Sequence, residues 1–426
     1  MAAESEWENV EDFLAHCCEH SEIDMDYVRS DSFYSLLHKC DWQKQPLYEA
    51  LYYSRTPSLE IELDRSSAKT WIIDENLFLE NKDSNSWRMR RFPIDLGYGH
   101  RRFQDIRSKV MSLEEKAQSG TKYVALANSE RKGVKVQADI VATRSTLVDL
   151  MQAGIKKCKV SAWVAAVNDQ LFLEKDRRRG YMDRAVMTGP NFEQLMTSRQ
   201  KMVDGKVRFE WAKNNYEKYN SLVRHSSSMN DSILVSCEID GVRPQKIDAK
   251  DSKEFLGLDD PVKNLDRYVE FKTRVHHRSD LKYFYAAIIQ CYLAGTPTLV
   301  VGIKNELKLT SIKEWDVNEV LHGGIKRLEK WFLDRWLIFL VRFIKCSILK
   351  KRTDRLQSFS IEVQDSKLVL RECERSRLQI EAALTSDFVK WREEHPQNAS
   401  ADELADLLGP LSIQEKETNT GEDQPS

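Results

Sequence analysis

The chain predicts an α/β or α+β fold, and three observations lead there. Apolar, β-branched runs recur in its second half as SILVSCEIDGV (232–242), RYVEFKT (267–273) and PTLVVGIK (297–304). Between the last two lies LKYFYAAIIQCYLAG (281–295), a helical stretch closed by Gly295. SFSIEVQDSKLVLREC, from Ser358, then reads as a hairpin turning at Asp365 and Ser366, and EAALTSDFVKWREE after it as a helix.

The remaining elements follow in chain order. Residues 1–45 form an acidic, partly helical N-terminal extension, and 46–394 form one large domain. Early in that domain SLEIEL (58–63) suggests a strand and SLEEKAQ (112–118) a helix. WFLDRWLIFLVRFIKCSIL (331–349) imitates a membrane span, but Asp334, Arg335, Arg342 and Lys345 are too costly in hydrocarbon, so it predicts a buried amphipathic helix. Residues 395–426 are polar, acidic and rich in helix breakers, which predicts a disordered tail. No internal repeat is evident.

Composition narrows the function. With 426 residues there is length for a substantial core, and 65 basic side chains nearly balance 67 acidic ones. Nucleic acid would therefore have to be met by a local basic cleft and not by overall charge. The eight cysteines include no C-x-x-C pair, which predicts reduced thiols in an intracellular protein and no zinc site. MAAESEWENVEDF at the start has neither a basic nor an apolar targeting segment.

Two strands carry acids in the same pattern. In YVEFKT, Glu270 and Lys272 share one strand face while Val269 and Phe271 take the other. In ILVSCEIDGV, Glu238 and Asp240 likewise share a face, with Ile239 toward the core. If the strands pair, three carboxylates and one lysine converge. Such crowding raises carboxylate pKa values unless a hard divalent cation neutralises it, and removing the acids should then raise metal-free stability. Two divalent ions on shared carboxylates can acidify a water and clamp a phosphate, while a lysine steadies the charge that develops, as a phosphodiesterase requires. The plain alternative for YVEFKT is a solvated ion pair.

Other residues can join the set. Glu193, in TGPNFEQLM, begins a helix and is either a ligand or a surface glutamate. Gln290 is the polar residue of an otherwise apolar helix, so it lines a site or finds a partner in the core. Arg144, in VATRSTLVDL, can grip a phosphate through two nitrogens or simply open a helix. The run KDRRRGYMDR, with Arg177, Arg178 and Arg179, is either an RNA guide or a solvated loop.

In order, Arg144, G-P-N-F-E ending at Glu193, E-x-D at 238–240, E-x-K at 270–272 and Gln290 resemble the DXO family of decapping exoribonucleases. FPIDLG (92–97) and GTPTLVVGIKNE (295–306) extend the resemblance, which covers roughly residues 90–390. It implies a PD-(D/E)xK-like core, a mixed sheet flanked by helices with the site in a deep pocket. It further implies that Glu238, Asp240, Glu270 and the Phe271 carbonyl ligate two Mg2+ or Mn2+ ions, with Glu193 joining directly or through water. Lys272 and Gln290 would contact the scissile phosphate and the attacking water, and Arg144 would hold RNA phosphates. Glu174, in QLFLEKD, matches a further acidic family position more loosely.

The implied substrates are RNA 5′ ends that carry incomplete or NAD-type caps, triphosphates or monophosphates. The resemblance also leaves room for a 5′→3′ exoribonuclease partner, and the expected location is the nucleus, with the cytoplasm as a further option and no membrane association. Two alternatives stay open. One is a catalytically weak or inactive RNA-end-binding protein of the same fold, and the other a PD-(D/E)xK DNA nuclease.

Overall fold

The computed structural model of the chain describes residues 7–56, 60–71, 77–81, 84–90, 94–96, 120–176, 188–197, 202–203, 206–207, 218–244, 264–276 and 284–396. The elements that build the site begin with helix α1 (Val10–His20), strands β1 (Tyr48–Arg55) and β2 (Ile140–Thr143), and helix α2 (Arg144–Ala153). Helix α3 (Thr188–Thr197), strands β3 (Lys218–Ser226) and β4 (Ser232–Glu238), and the short β5 (Gly241–Val242) follow. The set is completed by β6 (Tyr268–Val275), α4 (Tyr285–Ala294), β7 (Thr298–Asn305), β8 (Lys308–Asp316) and α5 (Lys330–Lys351).

Two large sheets organise the described residues. In the ten-stranded sheet β2, β4, β3 and β1 lie side by side, with β2 parallel to β4 and β3 antiparallel to it. In the seven-stranded sheet β5, β6, β7 and β8 are neighbours. β6 and β7 run parallel, which a hairpin cannot achieve, and α4 supplies the crossover between them. Helix α4 ends at Gly295, whose φ of 65° is the left-handed cap expected of a glycine. The architecture is thus a mixed-sheet α+β fold with flanking helices.

Helix α5 lies in the main apolar core, where Phe332, Trp336 and Phe339 are fully buried. Asp334, Arg335, Arg342 and Lys345 find partners. Asp334 meets Lys330 at 2.7 Å and Lys44 at 3.2 Å, Arg342 meets Asp231 at 3.3 Å, Lys345 meets Asp139 at 2.8 Å, and Arg335 donates to the Leu37 and His38 carbonyls. No helix among the described residues is long and apolar enough to cross a membrane.

Residues of the N-terminal extension from Trp7 onward pack on this core. Helix α1 is capped by Asn9, which accepts from the Asp12 backbone N–H, and it buries Val10, Phe13, Leu14, Cys17 and Cys18. Phe13 stacks on Phe339 of α5 with centroids 5.6 Å apart. All eight cysteines are free thiols.

The C-terminal hairpin forms as expected between Leu356–Gln364 and Lys367–Glu372. Asp365 and Ser366 take φ of 48° and 63°, the paired positive values of a two-residue turn whose twist suits antiparallel strands. The helix expected over 381–394 is instead two helices, Arg377–Leu384 and Ser386–Glu394. They break at Thr385, with φ of 71°, whose side chain accepts from the Phe388 N–H and so caps the second. Within SLEIEL, whose residues 60–63 are described, Ile61–Glu62 form a strand paired with β1. SLEEKAQ, Arg177 to Arg179 and 397–426 lie outside the described residues.

At the end of α2 a methyl group on Gly154 would sit 2.6 Å from the Trp336 indole, which is fully buried and donates to the Met151 carbonyl at 3.3 Å. Because the ring is packed on every side, Gly154→Ala is expected to cost about 1–3 kcal/mol through overpacking. Urea unfolding would measure it, and an unchanged midpoint would show that the indole has room to move.

Candidate active site

The site forms where the chain leaves one sheet for the other. β4 belongs to the large sheet and β6 to the small one, so these two strands do not pair directly. Convergence is achieved instead by Ile239 and Asp240, which carry the chain straight from β4 into β5, and by β5 pairing with β6 through Gly241↔Val269. Ile239 is buried and its N–H donates to the Tyr219 carbonyl at 3.0 Å. Asp240 Oδ2 accepts from the Phe271 backbone N–H at 2.9 Å, tying the E-x-D segment to the middle of E-F-K. Gly241 makes the approach possible, since a Cβ there would lie 2.9 Å from the Phe271 ring.

Helix α3 brings Glu193. Phe192 packs edge-on against Phe271 with centroids 6.0 Å apart, and Asn191 Nδ2 donates to the Leu96 carbonyl at 2.5 Å. Carboxylate oxygens of Glu193, Glu238 and Asp240 then lie within 4.8 Å of one another. These are hard oxygen donors, and the trio fits a hard divalent cation such as Mg2+ or Mn2+.

Glu270 is arranged differently. Its side chain is almost fully buried, and Arg144, at the first position of α2, donates to it from two nitrogens at 2.7 and 3.4 Å. Arg144 is delivered there because β2 runs parallel to β4 with Thr143 opposite Ser236. Lys272 Nζ donates to Glu270 Oε1 and, at 3.1 Å, to the Phe271 carbonyl, and stands 3.9 Å from Asp240. Arg144, expected to hold a phosphate, is therefore engaged with a carboxylate.

The electrostatics divide the acids into two pairs. Burial alone would raise all four, but Lys218 overcomes it at Glu238, holding that carboxyl down at about 2, and Arg144 and Lys272 overcome it at Glu270, which is lowered. Glu193 is raised by burial and by Glu238, and Asp240 is raised well above the usual range by burial and by repulsion from Glu270 and Glu193. Glu193 and Asp240 are thus the acids whose charge the protein's own cations do not fully answer. A bound cation would be favoured most beside them.

Gln290 lies half-buried on α4, and its Oε1 is buried without a hydrogen-bond partner among the described residues. An amide oxygen left so is costly unless something the site receives donates to it. The adjoining Cys291 thiol feels the charges of Glu270, Lys272, Arg144 and Asp240, which places this turn of α4 beside the site. Glu174 does not join the trio. It accepts from Lys122 Nζ and Tyr123 OH, and its burial is explained by those two partners.

Two lysines were not anticipated. Lys218, the first residue of β3, pairs with Glu238 Oε1, and Lys69 feels Lys218, Glu193, Glu238 and Asp240. A signal for Lys218 did exist. β3 and β4 form a hairpin that sets Asn220 opposite Glu238, and residue 218 then shares its face one diagonal step away. Lys69 sits in irregular chain and carries no comparable signal.

Clustered carboxylates with a lysine, set between mixed sheets flanked by helices, define a nuclease of the PD-(D/E)XK class. The sequence matches the RAI1-like PD-(D/E)XK nuclease family model over residues 44–389, and the chain belongs to that family. It is 24% identical over 386 residues to decapping nuclease RAI1 of Lachancea thermotolerans, covering 82% of this chain and 94% of that protein. With the Saccharomyces cerevisiae decapping nuclease RAI1 it shares 23% over 404 residues, covering 82% and 95%. In fold it is similar to Candida albicans Rai1 in complex with pU5 and Mn2+, with a TM-score of 0.58 at 18% identity over 83% of this chain and 96% of that one. Scheffersomyces stipitis Rai1 in complex with (3′-NADP)+ and calcium ion gives 0.58 at 20% identity over 83% and 97%.

Proposed function

We propose that the protein is a divalent-metal-dependent hydrolase of RNA 5′ ends. In this reading it removes incomplete or NAD-type caps, releases pyrophosphate from 5′-triphosphate RNA, and degrades 5′-monophosphate RNA in the 5′→3′ direction. The observation that supports it most is the trio Glu193, Glu238 and Asp240, with oxygens within 4.8 Å, set beside Lys272. The decapping activity in the names of the relatives supplies the substrate class.

Glu193, Glu238 and Asp240 would hold Mg2+ or Mn2+, two ions in the full site, with Glu270 and the Phe271 carbonyl alongside. When bound, such ions polarise the phosphate and make water a competent nucleophile at neutral pH. The remaining work falls to the chain. Arg144 holds Glu270 in place, Lys272 answers charge that builds on the phosphoryl oxygens, and the unpartnered Gln290 Oε1 accepts a hydrogen bond from the attacking water and so orients it. One site serves all of these 5′ ends because each reaction attacks phosphorus close to the end. A 5′→3′ exoribonuclease partner and a location in nucleus and cytoplasm belong to the same proposal and rest on family membership alone.

The test uses one RNA body with five ends: triphosphate, NAD, unmethylated cap, monophosphate, and none, as a closed circle. With Mn2+ the linear RNAs should lose their 5′ groups and shorten stepwise from that end, the circle should survive, and EDTA should stop everything. Efficient nicking of the circle would indicate an endonuclease. Faster cutting of single-stranded DNA would indicate a DNA enzyme, and release without metal would remove the basis of the reading.

A further inference from the structure

A cation already occupies part of the carboxylate cluster. Lys218 Nζ is bonded to Glu238 Oε1, an oxygen of the trio's own acid, and neither side chain is sealed off, at 22% and 39% exposed. Its charge reaches Glu193 and Asp240 as well. Lys69 adds a second positive charge over the same acids, held there because its carbonyl accepts from the Val242 N–H at 2.8 Å beside β5. Arg144 and Lys272 hold Glu270 instead, with Lys272 also 3.9 Å from Asp240. The trio is therefore answered by lysines that differ from the pair on Glu270 in one respect. Lys218 is bonded to an acid of the trio itself.

An ammonium bonded to Glu238 and a divalent ion held by the trio repel at contact distance, so the arrival of the ion disfavours the Lys218 pairing. Once displaced, the Lys218 side chain has a flexible four-carbon stem, partial exposure, and a charge that needs an anion. The anion that arrives at a nuclease site is the phosphate chain of the substrate.

Resting on the proposed function, we infer that Lys218 is an exchangeable counter-ion: it neutralises Glu238 in the metal-free protein, yields to the divalent ion, and then binds RNA phosphate, so that metal and RNA bind cooperatively. The exchange breaks one ion pair and forms another, with no proton or electron transferred. The free protein keeps a folded, charge-balanced site without metal, and full metal affinity is reached only with substrate present.

The test is calorimetric titration of Mn2+ into the whole protein and its Lys218→Met variant, with and without a 5′-phosphorylated oligouridine joined by phosphorothioates. In the unsubstituted protein the oligonucleotide should tighten Mn2+ binding about tenfold, a typical size for coupling between sites. Lys218→Met should bind Mn2+ alone about tenfold more tightly, since its competitor is gone, should melt at lower temperature without metal, and should lose most of the oligonucleotide's effect. Lys218→Arg keeps the charge, so its Mn2+ affinity should stay within about threefold of the original, and this variant serves if Lys218→Met does not fold. Weaker or unchanged Mn2+ binding in Lys218→Met overturns the inference while leaving the nuclease reading intact, and so does Lys218→Arg binding as tightly as Lys218→Met is expected to. Absence of Mn2+ binding in the unsubstituted protein overturns both.

Discussion

Glu238→Ala combined with Asp240→Ala is expected to abolish hydrolysis of every RNA 5′ end and to eliminate Mn2+ binding in calorimetry. Both acids contribute oxygens to the trio with Glu193, and neither is replaceable by a neighbour, because Glu270 is held by Arg144 and Lys272. The effect on stability should run opposite to what crowding alone predicts. Viewed as a patch of like charges, the acids should repel one another, and removing them should stabilise the metal-free protein. The structure reverses the sign. Lys218 is paired with Glu238, and the buried Phe271 N–H is bonded to Asp240. Removing both acids strands an ammonium and an amide, at a cost of about 1–3 kcal/mol. Thermal melting without metal therefore separates the two pictures, and a double variant that binds Mn2+ and cleaves RNA would remove the metal assignment altogether.

That reversal marks the limit of what spacing conveys. The identity of the acids was legible, because E-x-D and E-x-K in strand-like surroundings fix which side chains share a face. Their mutual geometry was not. A two-residue period cannot show that β4 and β6 belong to different sheets, or that a connection of two residues, Ile239 and Asp240, carries the chain between them. Counter-charges were harder still. Arg144 could be seen as an isolated cation beside a helix start, yet nothing local indicates that its partner is Glu270, 126 positions away. Lys69 had no signal at all.

The periphery gives the same lesson from the other side. Asp365-Ser366 between alternating strands announced its turn because the turn chemistry is local. The acidic composition of residues 1–45 hid an apolar stripe at Val10, Phe13, Leu14 and Cys17, whose three- and four-residue spacing puts them on one helix face. Net charge described the surface of α1, and periodicity described what it buries. At Thr385 the helix breaks without Gly or Pro, through a threonine cap that resembles any other threonine in sequence.

Lys272→Ala should lower turnover about a hundredfold or more, as when a group that steadies transition-state charge is lost, while RNA binding weakens less. The structure makes the assignment clean. Arg144 still holds Glu270 at 2.7 Å when the ammonium is gone, so the buried carboxylate keeps a partner and the fold should lose only about 1 kcal/mol. Lost rate cannot then be attributed to a collapsed site. Lys272→Arg should fail to rescue, because the compact ammonium now fits between Glu270 Oε1 and the Phe271 carbonyl, and a planar guanidinium is wider than that place. Glu270→Gln should fail by another route. It breaks the pairing with both Arg144 and Lys272, leaving two cations beside Asp240 and weakening metal binding, so excess Mn2+ should restore part of its activity and none of that of Lys272→Ala. Single-turnover rates across a Mn2+ series distinguish the two. Near-normal turnover in Lys272→Ala would make E-x-K a structural ion pair that orders β6, and the charge stabilisation would then have to be found in Lys218 or Lys69.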